Sequence, residues 1–183
     1  MTRIISGIAK GRTIKVPSSG TRPTSDRVRE AVFTSLTSRL GNFTDLNVLD
    51  LFAGSGAFAL EAISRGASNA TCVEKHSESA SIIKGNAKSV GFEMTVKTAD
   101  VVTFLKGDAD QEFDLVFIDP PYEYPNADVE KVLSLLANGG WLAPEAVVVV
   151  ERSARGETFK WPEPFTEVQE RIYGETTVKT GIC

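Results

Sequence analysis

The sequence is poor in soft ligands. Its 183 residues hold two cysteines and one histidine. Cys72 and Cys183 have neither pairing nor metal-ligand spacing, and with His76 they make too small a set for a zinc or iron site. No metal is therefore expected, and a reducing, cytoplasmic setting fits the thiols. Long apolar runs are also missing. The longest aliphatic one, residues 146–150, is far too short to cross a bilayer, so no membrane span is expected. Arg3, Lys10 and Arg12 interrupt the start, against a signal peptide. No internal repeat or low-complexity tract appears. The 42% hydrophobic content suits one packed α/β domain with a small appendage.

Charge is unevenly spread. Residues 1–39 carry eight basic side chains (Arg3, Lys10, Arg12, Lys15, Arg22, Arg27, Arg29, Arg39) against Asp26 and Glu30. The remaining residues have 12 basic and 22 acidic side chains, leaving the chain at −4. A basic N-terminal module on an acidic body suits a reader of polyanions, although a solvated surface without a partner is equally consistent.

In chain order, residues 3–16 form two alternating segments around Ala9-Lys10-Gly11 and read as a β-hairpin. A loop comes next, then a helix capped by Thr24 or Ser25, whose apolar stripe is Val28, Val32, Leu36 and Leu40 with Ser35 on the same face. Arg27 and Arg29 fall outside that stripe. With Arg22 they read either as a solvated face or as contacts to phosphates or bases. From residue 46 the pattern becomes βαβα. Strands are expected over 46–52, 70–74, 94–98, 113–118 and 147–150, and helices over 57–65, 77–90, 101–105 and 128–136. Residues 165–172 and 176–180 read as a closing hairpin around Tyr173-Gly174. Helices between parallel strands imply a doubly wound sheet. The expected division is 1–40 as a basic hairpin-and-helix extension and 41–183 as the main domain.

Two stretches carry chemistry. The first strand ends in Asp50-Leu51-Phe52-Ala53-Gly54-Ser55-Gly56. Gly54 and Gly56 permit a tight strand-to-helix turn where a ligand can meet bare backbone at the positive helix end. With Ala59 the spacing also matches a dinucleotide loop, so a nucleotide-dependent oxidoreductase stands as one reading. Asp50, Glu74, Asp100 and Asp119 fall 24, 26 and 19 residues apart, each at or just past a strand end. Carboxylates gathered on one sheet edge repel one another, which suits a cationic, hydroxyl-rich ligand better than a pyrophosphate. Glu74 can accept ribose hydroxyls. Asp100 can accept an adenine amine, or merely cap the helix that begins at Val101.

The other stretch is the buried fourth strand, which ends at Asp119-Pro120-Pro121-Tyr122. The prolines end the ladder and stiffen the backbone beyond it. The carboxylate of Asp119 and the carbonyl of Pro120 can each accept an N–H from an exocyclic amine, leaving its lone pair aimed at an electrophile. Asp119 can take the proton released. Tyr122 offers a face for a splayed-out base, a contact worth roughly 1–3 kcal/mol.

Residues 48–62, VLDLFAGSGAFALEA, resemble motif I of class I S-adenosylmethionine-dependent methyltransferases, and DPPY resembles motif IV of their amino-group-modifying branch. The N-terminal RIISGIAKGRTIKVP and RPTSDRVREAVFTSL, with the late RIYGETTV, resemble the bacterial 16S rRNA (guanine-N2)-methyltransferase family. The likeness covers nearly the whole chain. It implies a seven-strand, mostly parallel methyltransferase sheet behind a small hairpin and helix. It implies S-adenosylmethionine held by Asp50, Phe52, Ala53, Gly54, Ser55, Gly56, Glu74, Asp100 and Val101. A flipped guanine would face Asp119, Pro120, Pro121 and Tyr122. The implied partner is 16S rRNA in an assembled or assembling small ribosomal subunit, with ribosomal proteins as part of the target. The basic N-terminus makes Arg3, Lys10, Arg12, Arg22, Arg27 and Arg29 the candidate RNA contacts, and with no exposed apolar helix to suggest a dimer, a monomer is the default. An adenine-N6 DNA methyltransferase is the alternative, since DPPY serves that amine too. A catalytically idle assembly factor is a further one.

Overall fold

The structure, a computed structural model, describes residues 1–18 and 25–183. Thr24 and Arg22 lie outside the described residues. Two short strands, β1 (Thr2–Arg3) and β2 (Thr13–Ile14), pair antiparallel. Helix α1 (Asp26–Leu40) comes next, and Ser25 caps it by accepting from the Val28 amide at 3.2 Å. The main domain alternates β3 (Asn47–Leu51), α2 (Ala57–Ser64), β4 (Asn69–Glu74), α3 (Ser77–Val90), β5 (Thr95–Thr98), α4 (Val101–Leu105), β6 (Phe113–Ile118), α5 (Asn126–Asn138) and β7 (Leu142–Ser153), and closes with β8 (Thr166–Tyr173) and β9 (Thr176–Ile182). The seven strands run β5-β4-β3-β6-β7-β9-β8. The first five are parallel; β9 inserts antiparallel between β7 and β8.

The continuous apolar strands reflect burial on both faces. Successive residues alternate between two cores. Val48, Leu115, Phe117, Val147 and Val149 pack with Val32 and Phe33 of α1, Phe58 and Ala62 of α2 and Ile83 of α3. Leu49, Leu51, Val116, Ile118, Val148 and Val150 pack with Val101 of α4 and Val129, Val132 and Leu136 of α5. Helix α1 thus shares a core with the sheet, and Phe33 lies 5.5 Å from Phe117, ring to ring. No helix among the described residues is long and apolar enough to cross a membrane.

Three expectations need correction. The N-terminal hairpin is shorter than residues 3–16: past the Ile4 bonds with Gly11 and Arg12, the chain between its strands turns to bind α2. The amides of Ile5 and Ser6 donate to the Glu61 carboxylate at 2.7 and 3.0 Å, and that of Ala9 to Ser64 Oγ at 3.0 Å. Gly7 sits so close to Ser64 that a Cβ would lie 1.7 Å from its carbonyl oxygen. Secondly, Arg29 is not on an open helix face. It is 1% exposed, and Nη2 donates to Thr2 Oγ1, the Arg3 carbonyl and Asp26 at 3.1, 2.6 and 3.0 Å. Those bonds make it a brace between α1 and β1. Thirdly, β7 extends well beyond residues 147–150, since its ladder to β9 continues through the polar Glu151, Arg152 and Ser153.

Candidate active site

Parallel topology delivers the carboxyl ends of β3, β4, β6 and β7 to one edge of the sheet, where such folds place ligands. β3 leaves the sheet through Phe52, a non-glycine at φ 63, and turns through Gly54 and Gly56 at φ 55 and 76. A phenylalanine in the left-handed region is strained and persists only where its surroundings hold it. Its ring meets Tyr124 edge-on at 5.0 Å. Gly56 starts α2, and a Cβ there would lie 3.0 Å from Ile83 Cγ2.

A cleft brings Asp50, Phe52, Ala53, Gly54 and Ser55 together with Asp119, Pro120, Pro121 and Tyr122. The two motifs singled out in the sequence therefore face one space. Glu74, Asp100 and Val101 do not line it. Glu74 is buried and accepts from the Gly54 and His76 amides at 2.9 and 2.8 Å, holding the glycine turn from below. Asp100 accepts from the Thr103 amide at 3.1 Å and caps α4, the helix that Val101 opens. A carboxylate has about four acceptor sites, so neither bond excludes a ligand hydroxyl or amine.

Asp50 is 2% exposed and accepts from the Ala59 amide at 3.2 Å. Burial pushes its pKa up to about 8; repulsion from Asp119 and Glu74 adds to this, and the Ala59 bond only partly opposes it. A cation near Asp50 would favour its ionised form.

The loop after β6 is tied down from β7. Arg152 donates to the carbonyls of Pro121 and Tyr124 at 3.2 and 2.6 Å, and Tyr122 Oη meets Thr176 Oγ1 at 3.2 Å. Tyr122 remains 39% exposed, so its ring is open to a stacking partner. Neither Arg152 nor the buried Glu151, which also lines the cleft, is among the residues expected from sequence. Both come after the apolar run of a parallel strand, the same positional signal that marks Asp119. Of the expected cationic contacts, Arg3, Lys10, Arg12 and Arg27 are not buried. Thr2, Val16 and Arg29 carry the N-terminal segment to the mouth of the cleft.

The strand order, the glycine turn and the DPPY corner define a class I methyltransferase. The chain belongs to the family described as conserved hypothetical protein 95, whose model matches residues 2–182. It is 36% identical to ribosomal RNA small subunit methyltransferase D of Escherichia coli K12, across 97% of this chain and 87% of that protein. The Haemophilus influenzae protein of the same name is also 36% identical, across 94% and 89%. Among solved structures, yhhF of Escherichia coli superposes with a TM-score of 0.88 at 31% identity, covering 99% of this chain and 97% of that one.

Proposed function

We propose that this protein transfers a methyl group from S-adenosylmethionine to the exocyclic N2 amine of a guanine in 16S rRNA, within an assembled or assembling small ribosomal subunit. The observation that carries the reading is the rigid Asp119-Pro120-Pro121-Tyr122 corner opening onto the same cleft as the Asp50 and glycine turn. The names of the relatives support rRNA of the small subunit as the substrate; the choice of an amine comes from the corner itself.

The residues present fit the cofactor. An edge of buried and repelling carboxylates favours a cation, and the bare backbone at Gly54 and Gly56 admits close approach. Asp50, Phe52, Ala53, Gly54, Ser55 and Gly56 would hold its methionine side, with Glu74, Asp100 and Val101 on the ribose and adenine side. When bound, the cofactor supplies a methyl group on a positively charged sulfur. The Asp119 carboxylate and the Pro120 carbonyl accept the two N–H bonds of the amine, which orients its lone pair. An Asp119 carboxylate oxygen then receives the proton that the methylated amine gives up. Tyr122 stacks on the extruded base, and positioning supplies most of the rate. Residues 1–40 form the RNA-facing extension, with Arg3, Lys10, Arg12 and Arg27 on phosphates; Arg22, outside the described residues, is retained in that set. A cytoplasmic monomer that also reads ribosomal proteins completes the proposal.

The test is nucleoside mass spectrometry after incubation of the protein and S-adenosylmethionine with unmodified small subunits, naked 16S rRNA and duplex DNA. N2-methylguanosine from the subunits is expected. N6-methyladenine from DNA would move the protein to the rival reading, and no product beside intact cofactor binding would make it an idle assembly factor.

Asp50 adds a pH signature. Its raised pKa means that its contribution to stability is complete below the ordinary carboxylate range and is lost as pH rises through about 8. The ligand-free protein should therefore show a Tm that falls between about pH 4 and 8 and levels off above, while cofactor affinity rises toward pH 8 because the cation favours ionised Asp50. Asp50→Asn should flatten both slopes, as read by thermal melts and by calorimetry.

A further inference from the structure

We propose that Glu151 reads the base, accepting the N1–H of guanine beside the amine held by Asp119, and so selects guanine over adenine; this rests on the guanine-N2 reading above. Ile118 of β6 and Val150 of β7 are in register on neighbouring parallel strands. The next residues, Asp119 just past the end of β6 and Glu151 still laddered to β9, lie side by side, with strands roughly 4.8 Å apart. Side chains alternate along a strand, so both share the α1 face with Phe117 and Val149. Both line the main cleft, and both line a smaller recess beneath it with Val32, Phe58 and Val178. Glu151 is only 6% exposed. An acid on the far side of the cleft from the Asp50 end gives no obvious help to the cofactor.

Two neighbouring carboxylates match two neighbouring donors on one base edge. Along its Watson–Crick edge guanine presents an N2 amine, an N1–H and the O6 acceptor. Adenine presents an amine next to the bare N1 lone pair, which offers a carboxylate oxygen no hydrogen. Sites built to bond a particular N–H reject the analogue lacking it far more strongly than apolar pockets reject a methylene. Asp119 alone cannot make this choice, since an exocyclic amine is common to both bases.

The experiment uses small subunits reconstituted with rRNA ligated to carry either guanine or 2-aminopurine at the position that the wild-type enzyme methylates. 2-Aminopurine keeps the amine, replaces N1–H by a lone pair and lacks O6, so the change on Glu151→Gln is what isolates the N1 contact. The wild type is expected to prefer guanine by about 100-fold or more in kcat/KM. Glu151→Gln, whose amide can donate to that lone pair, should shrink the preference to less than about tenfold and leave the cofactor Kd within about twofold. Equal methylation of both subunits by the wild type overturns the proposal without any variant, and so does a Glu151→Gln enzyme that keeps the wild-type preference. If the wild type yields no N2-methylguanosine on guanine subunits, the underlying guanine-N2 reading fails first, which separates the two failures.

Discussion

Asp119→Ala is expected to reduce single-turnover methylation of small subunits by about 10³-fold or more, because it removes a proton acceptor and one of two bonds orienting the amine together. The cofactor Kd should stay within about threefold, since Asp119 faces the amine side of the cleft. Asp119→Asn separates the two roles. Its amide oxygen can still accept one N–H, but the group can no longer take a proton, so a loss of about 10²-fold is expected. A second readout belongs to the alanine variant. Asp119 is one of the charges that raise the Asp50 pKa. Its removal should lower that pKa and shift the pH dependence of cofactor binding toward acid. Transfer by Asp119→Ala at the wild-type rate would remove Asp119 from the reaction altogether, and an unshifted pH profile would show that Asp119 does not act on Asp50.

Much of this site was legible because two one-dimensional signals coincide at it. Apolar runs such as residues 115–118 mark strands buried on both faces, and the first polar residue beyond each run lies on the edge where a parallel sheet receives ligands. Glu74 and Asp119 satisfy both signals, and Asp50 lies one residue inside the end of β3. Glu151 satisfies them too, yet Arg152 and Ser153 come after it in a strand that does not stop, and so it lacks the proline punctuation that makes Asp119 conspicuous. Arg29 was misplaced for a different reason. Helical spacing sorts side chains by angle, but a long guanidinium can be buried from a polar angle when a neighbouring strand offers carbonyl and hydroxyl acceptors. The shortened N-terminal hairpin reflects the same blindness to partners distant in sequence. Alternation over residues 3–16 is consistent with a ladder, and nothing local reveals that the donors at Ile5, Ser6 and Ala9 are taken by side chains some 55 residues away.

Glu61 is the first of those distant partners, and Glu61→Ala should have the largest effect on stability. The side chain is fully buried in α2, and its carboxylate accepts from the Ile5 and Ser6 amides and from Arg65 Nε at 2.7 Å. Alanine would orphan two backbone donors. It would also leave Arg65, stacked 4.8 Å over the Phe33 ring, without its carboxylate, while Arg29 keeps Asp26. Breaking a buried pair on one side costs about 3–5 kcal/mol, on the order of 10 °C in Tm for a domain of this size. Glu61→Gln keeps the shape and one acceptor oxygen, so its loss should be smaller. The functional consequence comes from position: Thr2 and Val16 line the cleft only while the intervening segment is docked on α2. At a temperature where Glu61→Gln remains folded, its activity on small subunits should therefore fall several-fold more than its cofactor affinity. A Glu61→Ala protein that melts with the wild type would mean that the N-terminal segment merely rests on the domain. Equal losses in activity and cofactor affinity for Glu61→Gln would mean that the docked segment serves the cofactor rather than the RNA.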